Sequence, residues 1–481
     1  MRVWRNHTGN QSSTIVEERR PATVDDLVAL VQEAEERNVT VRAVGAGHAW
    51  SDVALTTGVV IDPANLAGLL DLDDGTLRAR QANAPPLIRV RGGTHIHELN
   101  ELLRAERLAL CNMGGYDAQT IAGVVSTSTH GSGLTFGPFP DMVRSLDLVI
   151  ARGEKVRVEP AGGVTDRAAF EAAHATDGWA LIQDDDSFYS AVCGMGTLGI
   201  VYSLVLEVRD RFWMTELRKV VSWEAIRGTV TPRDVLGRFE HYELFPNPYQ
   251  NQDGSHHVLV TTRETCAEPP GGESPGRGLQ HPLIELEASL PITGVVLRFL
   301  ARHLAWLMVK RFDHVLDNMQ ERDGYRSISY RVFNIGEANH LPAYSMELGV
   351  TLEGDRHLEA VDRILAAAAR WSEEGVYHTS PIALRFVAPS SAYASMMYGQ
   401  STMMIELIMV ADSHRGEELL AGYERDLADL GIRPHWGQIN ALTSERVREL
   451  YPRWDTWLAT AARFNVSGVF DSAFTRRMGI R

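Results

Sequence analysis

Apolar residues recur at helical spacing after Thr23: Leu27, Leu30, Val31 and Ala34 share one face, and Thr23-x-x-Asp26 sets a capping pattern ahead of them, which predicts an amphipathic helix. Alternation over Val39–Val44 predicts a short strand. That strand runs into Gly45-Ala46-Gly47-His48-Ala49-Trp50-Ser51-Asp52, a two-glycine turn in which backbone N–H groups can converge on a ligand. Ile96, Leu99, Leu102 and Leu103 predict a second helix, and the β-branched run IVYSLVLEV over Ile200–Val208 predicts another strand. Between them, Gly114–Gly133 contains AGVVSTSTHGSG, too rich in Gly, Ser and Thr for an ordinary helix; it predicts a loop system wrapped around a ligand.

Gly194-Met195-Gly196-Thr197-Leu198-Gly199 spells G-x-G-x-x-G, but a strand follows it where a Rossmann turn needs a helix, so the dinucleotide-binding reading is rejected. The apolar segment Pro291–Lys310 is interrupted by Arg298, Arg302 and His303 and predicts a packed amphipathic helix rather than a membrane span. Cys266–Gly278, CAEPPGGESPGRG, predicts a surface loop. Met396, Met397, Met403 and Met404 cluster with Tyr393 and Tyr398, as core packing does.

Composition narrows the function classes. A length of 481 residues, 44% hydrophobic and 23% charged, suits a soluble enzyme of two or three domains. With 47 basic against 62 acidic residues the net charge is −15, and no basic stripe interrupts it, so no nucleic-acid partner is expected. Cys111, Cys193 and Cys266 have spacings that suit neither a metal site nor a disulfide framework. The polar start MRVWRNHTGNQSS has no apolar leader, so a cytoplasmic protein is expected, with no membrane partner, and the Asn6-His7-Thr8 triplet is not read as a glycan site.

Several separated motifs agree in order along the chain. VRAVGAGHAWSD (Val41–Asp52), NMGGYDAQTIAGVVSTSTHGSG (Asn112–Gly133), DSFYSAVCGMGTLGIVYSLVLEV (Asp186–Val208), RPHWGQIN (Arg433–Asn440) and the later YPRWDTWL and FNVSGVFDSAF resemble the vanillyl-alcohol-oxidase type of FAD-binding oxidoreductases, in the branch of sugar-lactone and alditol oxidases. The resemblance implies an α+β, two-domain fold: an FAD-binding domain over residues 1–209 completed by 445–481, and a substrate domain over 210–444 built on an antiparallel sheet flanked by helices. It implies FAD held by the backbone of Ala43, Val44, Gly45, Ala46, Gly47, His48 and Ala49, which suits a pyrophosphate in an acidic chain. His48 would carry a covalent bond to the flavin, the alternative being a hydrogen bond within the turn. Gly115, Thr120, Gly123, Thr127, Ser128, Thr129 and His130 would follow the flavin and ribityl chain, Ile200 the adenine, and His435 would close over the isoalloxazine. Cys111 precedes the second loop, so no additional cysteinyl link is expected.

In such enzymes hydride leaves a C–H beside oxygen and passes to flavin N5. The family's E-x-R pair and H-W-G-K motif are kept only in part: Arg385 remains, Ala383 replaces the glutamate, and Gln438 replaces the lysine. Arg385, Gln438 and His435 are the expected catalytic groups, Arg385 either stabilising developing negative charge or serving as an ion-pair partner. Glu347, His378 and Glu406 are the candidate bases. Two lost charges imply a substrate less polar than an alditol or sugar lactone, and Gly114 beside the flavin implies O2 as acceptor. The rival readings are a flavin-dependent cyclase, desaturase or dehydrogenase, and a flavin-holding protein without catalysis. No metal is expected, and the oligomeric state is left open.

Overall fold

The computed structural model describes residues 2–72, 75–81, 83–270, 294–334 and 343–481. Its first layer grows from the capped helix. Val24–Glu36 begins at Thr23, whose side chain accepts from the Asp26 amide while Asp26 returns a bond to the Thr23 amide. Leu27, Leu30, Val31 and Ala34 bury against Val41, Val59 and Ile61. Those last residues lie on a small parallel sheet of Glu17–Arg19, Val59–Ile61 and Val41–Ala43.

A second sheet, among the described residues, runs in the order Trp179–Gln183, Lys155–Glu159, Val143–Val149, Ile200–Glu207, Leu87–Arg91, Leu69–Leu70. The helix Ile96–Ala105 packs Ile96, Leu99 and Leu103 into the core beside it. Both anticipated helices and both anticipated strands are present, the first strand shortened to Val41–Ala43.

A third sheet holds Glu321–Ile328, Trp213–Ser222, His257–Cys266, His241–Pro246, Ala383–Val387, Thr402–Val410, Ala343–Thr351 and Arg433–Pro434, each antiparallel to its neighbour. Side chains alternate between its faces. Met346, Leu348, Leu384, Met403, Ile405 and Leu407 pack on one face against Leu358, Val361, Ile364, Leu419 and Tyr423 of the helices Arg356–Glu373 and Gly416–Asp426. The opposite face is left to carry Glu347, Ala383, Arg385, Glu406 and Ile408.

Three expectations need correction. The stretch Gly114–Gly133 is not all loop: Ile121–Ser126 is a short helix capped by Thr120, because Ile121, Val124 and Val125 supply a buried face that its small residues disguise. Pro291–Lys310 is not one helix. Gly294–His303 and Ala305–Val309 are separate, broken where Leu304 leaves helical geometry, and Pro291 to residue 293 lie outside the described residues. Of the anticipated surface loop, Cys266 ends a strand and 271–278 lie outside the described residues. The methionine cluster is buried core, and all three cysteines are free. Among the described residues no helix is long and apolar enough to cross a membrane.

The helix Trp454–Phe464 joins the core through a stack: Trp454 lies 4.6 Å from Trp457 and 5.9 Å from Trp436, ring centre to ring centre. Trp457 also donates to the Cys193 carbonyl at 3.2 Å. Because Trp454 is buried between two stacked rings, Trp454→Ala is expected to cost about 3–5 kcal/mol, read as a lowered denaturant midpoint.

Candidate functional site

The strand Val41–Ala43 delivers its loop into a cavity of about 300 Å³. Arg42 anchors it from behind: its guanidinium donates to the carbonyls of Met195 (3.0 Å) and Gly196 (2.7 Å) and to Ser472 Oγ (2.7 Å). Burial pushes Arg42 down to about 10, opposed by Asp471 and Asp52, which leaves it protonated near neutral pH. Beyond it the chain enters a tight turn in which Gly47 takes φ +64°, a left-handed conformation that favours glycine. The amides of Gly45, Ala46, Gly47 and Ala49 have no acceptor among the described residues. A Cβ on Gly45 would stand 2.2 Å from Thr120 Oγ1, so only glycine allows the first loop to touch the second.

Residues 43–49 all line this cavity, as do Gly114, Gly115, Thr120, Gly123, Thr127, Thr129, His130, Ile200, Arg385, His435 and Gln438. Ser128 is the exception. Its backbone turns left-handed (φ +58°), and its hydroxyl donates to Ser395 Oγ at 2.8 Å, which fastens the loop to a segment 267 residues further along the chain instead of facing the cavity. Sequence reasoning missed several wall residues. Met195, Gly196 and Gly199 line the cavity although their G-x-G-x-x-G string is no Rossmann turn, and Tyr116 does so from within the second loop. His7 carried no signal. Its ring stacks 5.5 Å from that of His48, which also meets Tyr116 at 4.4 Å and Trp50 at 4.8 Å.

The other end of the cavity is set by buried charge. Arg218 meets Glu216 at 2.9 Å; Arg263 meets Glu216 at 2.7 Å and Glu243 at 3.0 Å; Arg385 then meets Glu243 at 3.6 Å, Glu406 at 2.7 Å and Glu347 at 3.9 Å. This ladder steps from strand to strand across the third sheet. Arg385 is thus both a cavity residue and an ion-pair partner. Burial works against its charge, yet Glu406, Glu243 and Glu347 hold it firmly protonated.

Glu347 closes the ladder. Its Oε1 lies 3.2 Å from His130 Nε2, and its Oε2 accepts from Gln438 Nε2 at 3.2 Å. Burial alone would raise its pKa, but His130, His435 and Arg385 outweigh it and hold the carboxyl down at about 2. His435 is pushed down to about 4 by burial, opposed by Glu347. Its Nδ1 accepts from the Gly437 amide at 3.0 Å, which assigns the proton of the neutral ring to Nε2 and makes that nitrogen a donor. The H-W-G-Q turn itself is docked on the cofactor loop: Trp50 N donates to Gly437 O at 2.7 Å and Ser51 Oγ to Trp436 O at 2.6 Å.

Of the three candidate bases, Glu347 and Glu406 line the cavity and His378 does not. His378 is buried beside Tyr423, with its amide donating to Tyr249 Oη at 2.6 Å, and burial drives its ring down to about 3. The loss of charge anticipated from Ala383 and Gln438 is also incomplete, since Glu347 and Glu406 bring two carboxylates to the same end.

The glycine cradle and the acceptor-free amides fit an FAD pyrophosphate, with His48 and Tyr116 at the same wall. Two outcomes follow. Gly45→Ala forces Thr120 away and, in a His48→Ala background where the flavin is free to leave, is expected to weaken flavin retention by about 1–3 kcal/mol, measured as FAD content after gel filtration. Because the folded Glu347 carboxyl lies at about 2 against its ordinary 4.5, its contribution to stability is complete above pH 4.5 and fades as pH falls toward 2. The gap in denaturant midpoint between the wild type and Glu347→Gln should therefore be widest above pH 4.5 and close on acidification.

Comparison with known proteins agrees with this geometry. An FAD binding domain signature matches residues 19–159, and the signature of D-arabinono-1,4-lactone oxidase matches residues 211–478. L-gulono-1,4-lactone dehydrogenase of Mycobacterium tuberculosis is 28% identical over 480 residues, covering 99% of either chain. Alditol oxidase of a Streptomyces species is 26% identical, covering 98% of this chain and 97% of its own. Among solved structures, a solvent-stable cholesterol oxidase superposes with a TM-score of 0.77 at 14% identity, covering 99% of this chain and 97% of that one, a likeness of fold alone. The architecture is the α+β two-domain fold of that FAD-binding type, and the chain belongs to the D-arabinono-1,4-lactone oxidase family as an FAD-dependent oxidoreductase.

Proposed function

We propose that the protein oxidises a CH–OH group of a small molecule, with O2 as the acceptor and FAD attached through His48. One observation carries this reading: a single cavity holds the amide loop 45–49 with His48 at one end and Arg385, Glu406, His435 and Gln438 at the other. Bound FAD would supply the hydride acceptor. The chain's own groups do the rest: the Nε2–H of His435 and the amide of Gln438 are placed to orient an oxygen, while the Arg385 guanidinium stabilises negative charge as it develops there.

Ala343 and Ile408 line the same end. A hydroxyl held by the polar groups would leave the carbon skeleton against these apolar side chains, which supports a substrate less hydrophilic than an alditol or aldonolactone but still a hydroxylated one. Gly114 supports oxygen as acceptor, since it lines the cavity without a side chain. The competing reading, a dehydrogenase that hands electrons to a quinone or dye, is favoured by the printed name of the mycobacterial relative. We take residues 1–209 with 445–481 as the cofactor domain and 210–444 as the substrate domain, consistent with the third sheet's being drawn from residues 213–434 and with Arg453 of the later segment pairing to Asp186 of the earlier one.

Acid precipitation tests the attachment: yellow colour and FAD mass should stay with the polypeptide of the wild type and leave with the supernatant in His48→Ala. Mixing photoreduced enzyme with air-saturated buffer tests the acceptor. Reoxidation within seconds is expected, and persistence of reduced flavin until a quinone is added would establish the dehydrogenase instead.

A further inference from the structure

The alanine at 383 stands where the family's glutamate is expected, two residues before Arg385. In the sheet Ala383 lies directly opposite Glu406 on the adjacent antiparallel strand. Directly opposed residues share a face. Glu406 therefore reaches the guanidinium that a glutamate at 383 would have served, and its Oε2 accepts from Arg385 Nη1 at 2.7 Å.

The other two candidate bases are less open to a bound molecule. His378 sits outside the cavity. Glu347 accepts from Gln438 with one oxygen and holds the other 3.2 Å from His130 Nε2 without a hydrogen bond, and its side chain is only 4% exposed and kept a weakly basic carboxylate. Glu406 has one oxygen on Arg385, and its side chain is 15% exposed, opening on the cavity. One carboxylate oxygen there remains available to a bound molecule. Ile408, two residues further along the same face, lines the cavity next to it and keeps that side apolar.

We infer that the catalytic carboxylate of the E-x-R pair has crossed to the neighbouring strand, and that Glu406 takes the proton of the substrate hydroxyl. This rests on the CH–OH reading above. The O–H bond breaks as its proton passes to Glu406, and the electron pair left on oxygen forms the carbonyl. Bound FAD would be the oxidant, taking the hydride with its two electrons as the C–H bond breaks. The products are a carbonyl compound, reduced flavin and protonated Glu406. Arg385, fixed by Glu243 behind it, keeps Glu406 aimed.

The test uses holoenzyme and anaerobic stopped-flow reduction of the flavin by L-gulono-1,4-lactone, an alditol and benzyl alcohol, following the fastest of the three. Glu406→Gln should bind FAD as the wild type does yet reduce it about 100-fold more slowly or worse, the scale of a lost general base. Acetate should raise the rate of Glu406→Ala in proportion to its concentration, which loss of a merely structural ion pair would not show. A383E combined with E406A should recover much of the lost rate, because the carboxylate returns to Arg385 from the opposite strand. If the wild type is reduced but E406Q stays within about threefold of it, or if acetate and A383E both leave E406A unchanged, Glu406 is not the base. If none of the three compounds reduces the wild type, the CH–OH reading falls and the assignment falls with it.

Discussion

Burying Arg385 obliges the sheet around it to be built as it is. A guanidinium removed from water is tolerable only where carboxylates meet it with good geometry, and each carboxylate then needs a further partner. Glu243 is shared with Arg263, Arg263 with Glu216, and Glu216 with Arg218, so the obligation passes across four strands. At the cavity end Arg385 faces Glu406 and Glu347, and Glu347 in turn faces His130 on the second cofactor loop. The chain of partners therefore ties the interior of the third sheet to the loop that carries His130 in the cavity wall. Taking away one member leaves its buried neighbours leaning on their remaining partners, so the cost falls on the whole ladder rather than on one pair.

That coupling is reinforced by the H-W-G-Q turn. His435 and Gln438 reach the cavity from a segment whose backbone carbonyls at Trp436 and Gly437 accept from Ser51 and Trp50 of the pyrophosphate loop. Gln438, the residue in the lysine's place, spends its amide on Glu347. An ammonium there would have neutralised Glu347 outright; a carboxamide leaves that task to His130, His435 and Arg385, which is why the same carboxylate is still held so acidic.

Local signals carried much of this architecture in the sequence. Thr23 and Asp26 marked a helix start by reciprocal capping, and VRAVGAGHAWSD marked a loop that lines the cavity, because both depend on residues a few positions apart. Whatever depends on strands far apart in the chain was not legible. That Glu406 faces Ala383 is a matter of register between strands, and that His378 turns to the helix-covered side is a matter of tertiary packing. Ser128 failed for a subtler reason: a left-handed backbone at a non-glycine residue reverses its side chain within a stretch whose neighbours all face the cavity. The string Gly194–Gly199 was rightly denied a Rossmann turn, yet its glycines still form cavity wall, since small residues serve any ligand that lies close to a backbone.

Arg42 has one more consequence, for the order in which the chain folds. Its guanidinium donates to Met195 and Gly196, but also to Ser472 and to the Phe470 carbonyl, 428 residues downstream, and Val41 N donates to Val469 O. Arg477 similarly reaches back to Asp52. A chain in which residues 469–477 have not yet folded lacks the segment that fixes the loop after Arg42, so that loop reaches its final geometry only when these two distant stretches have met.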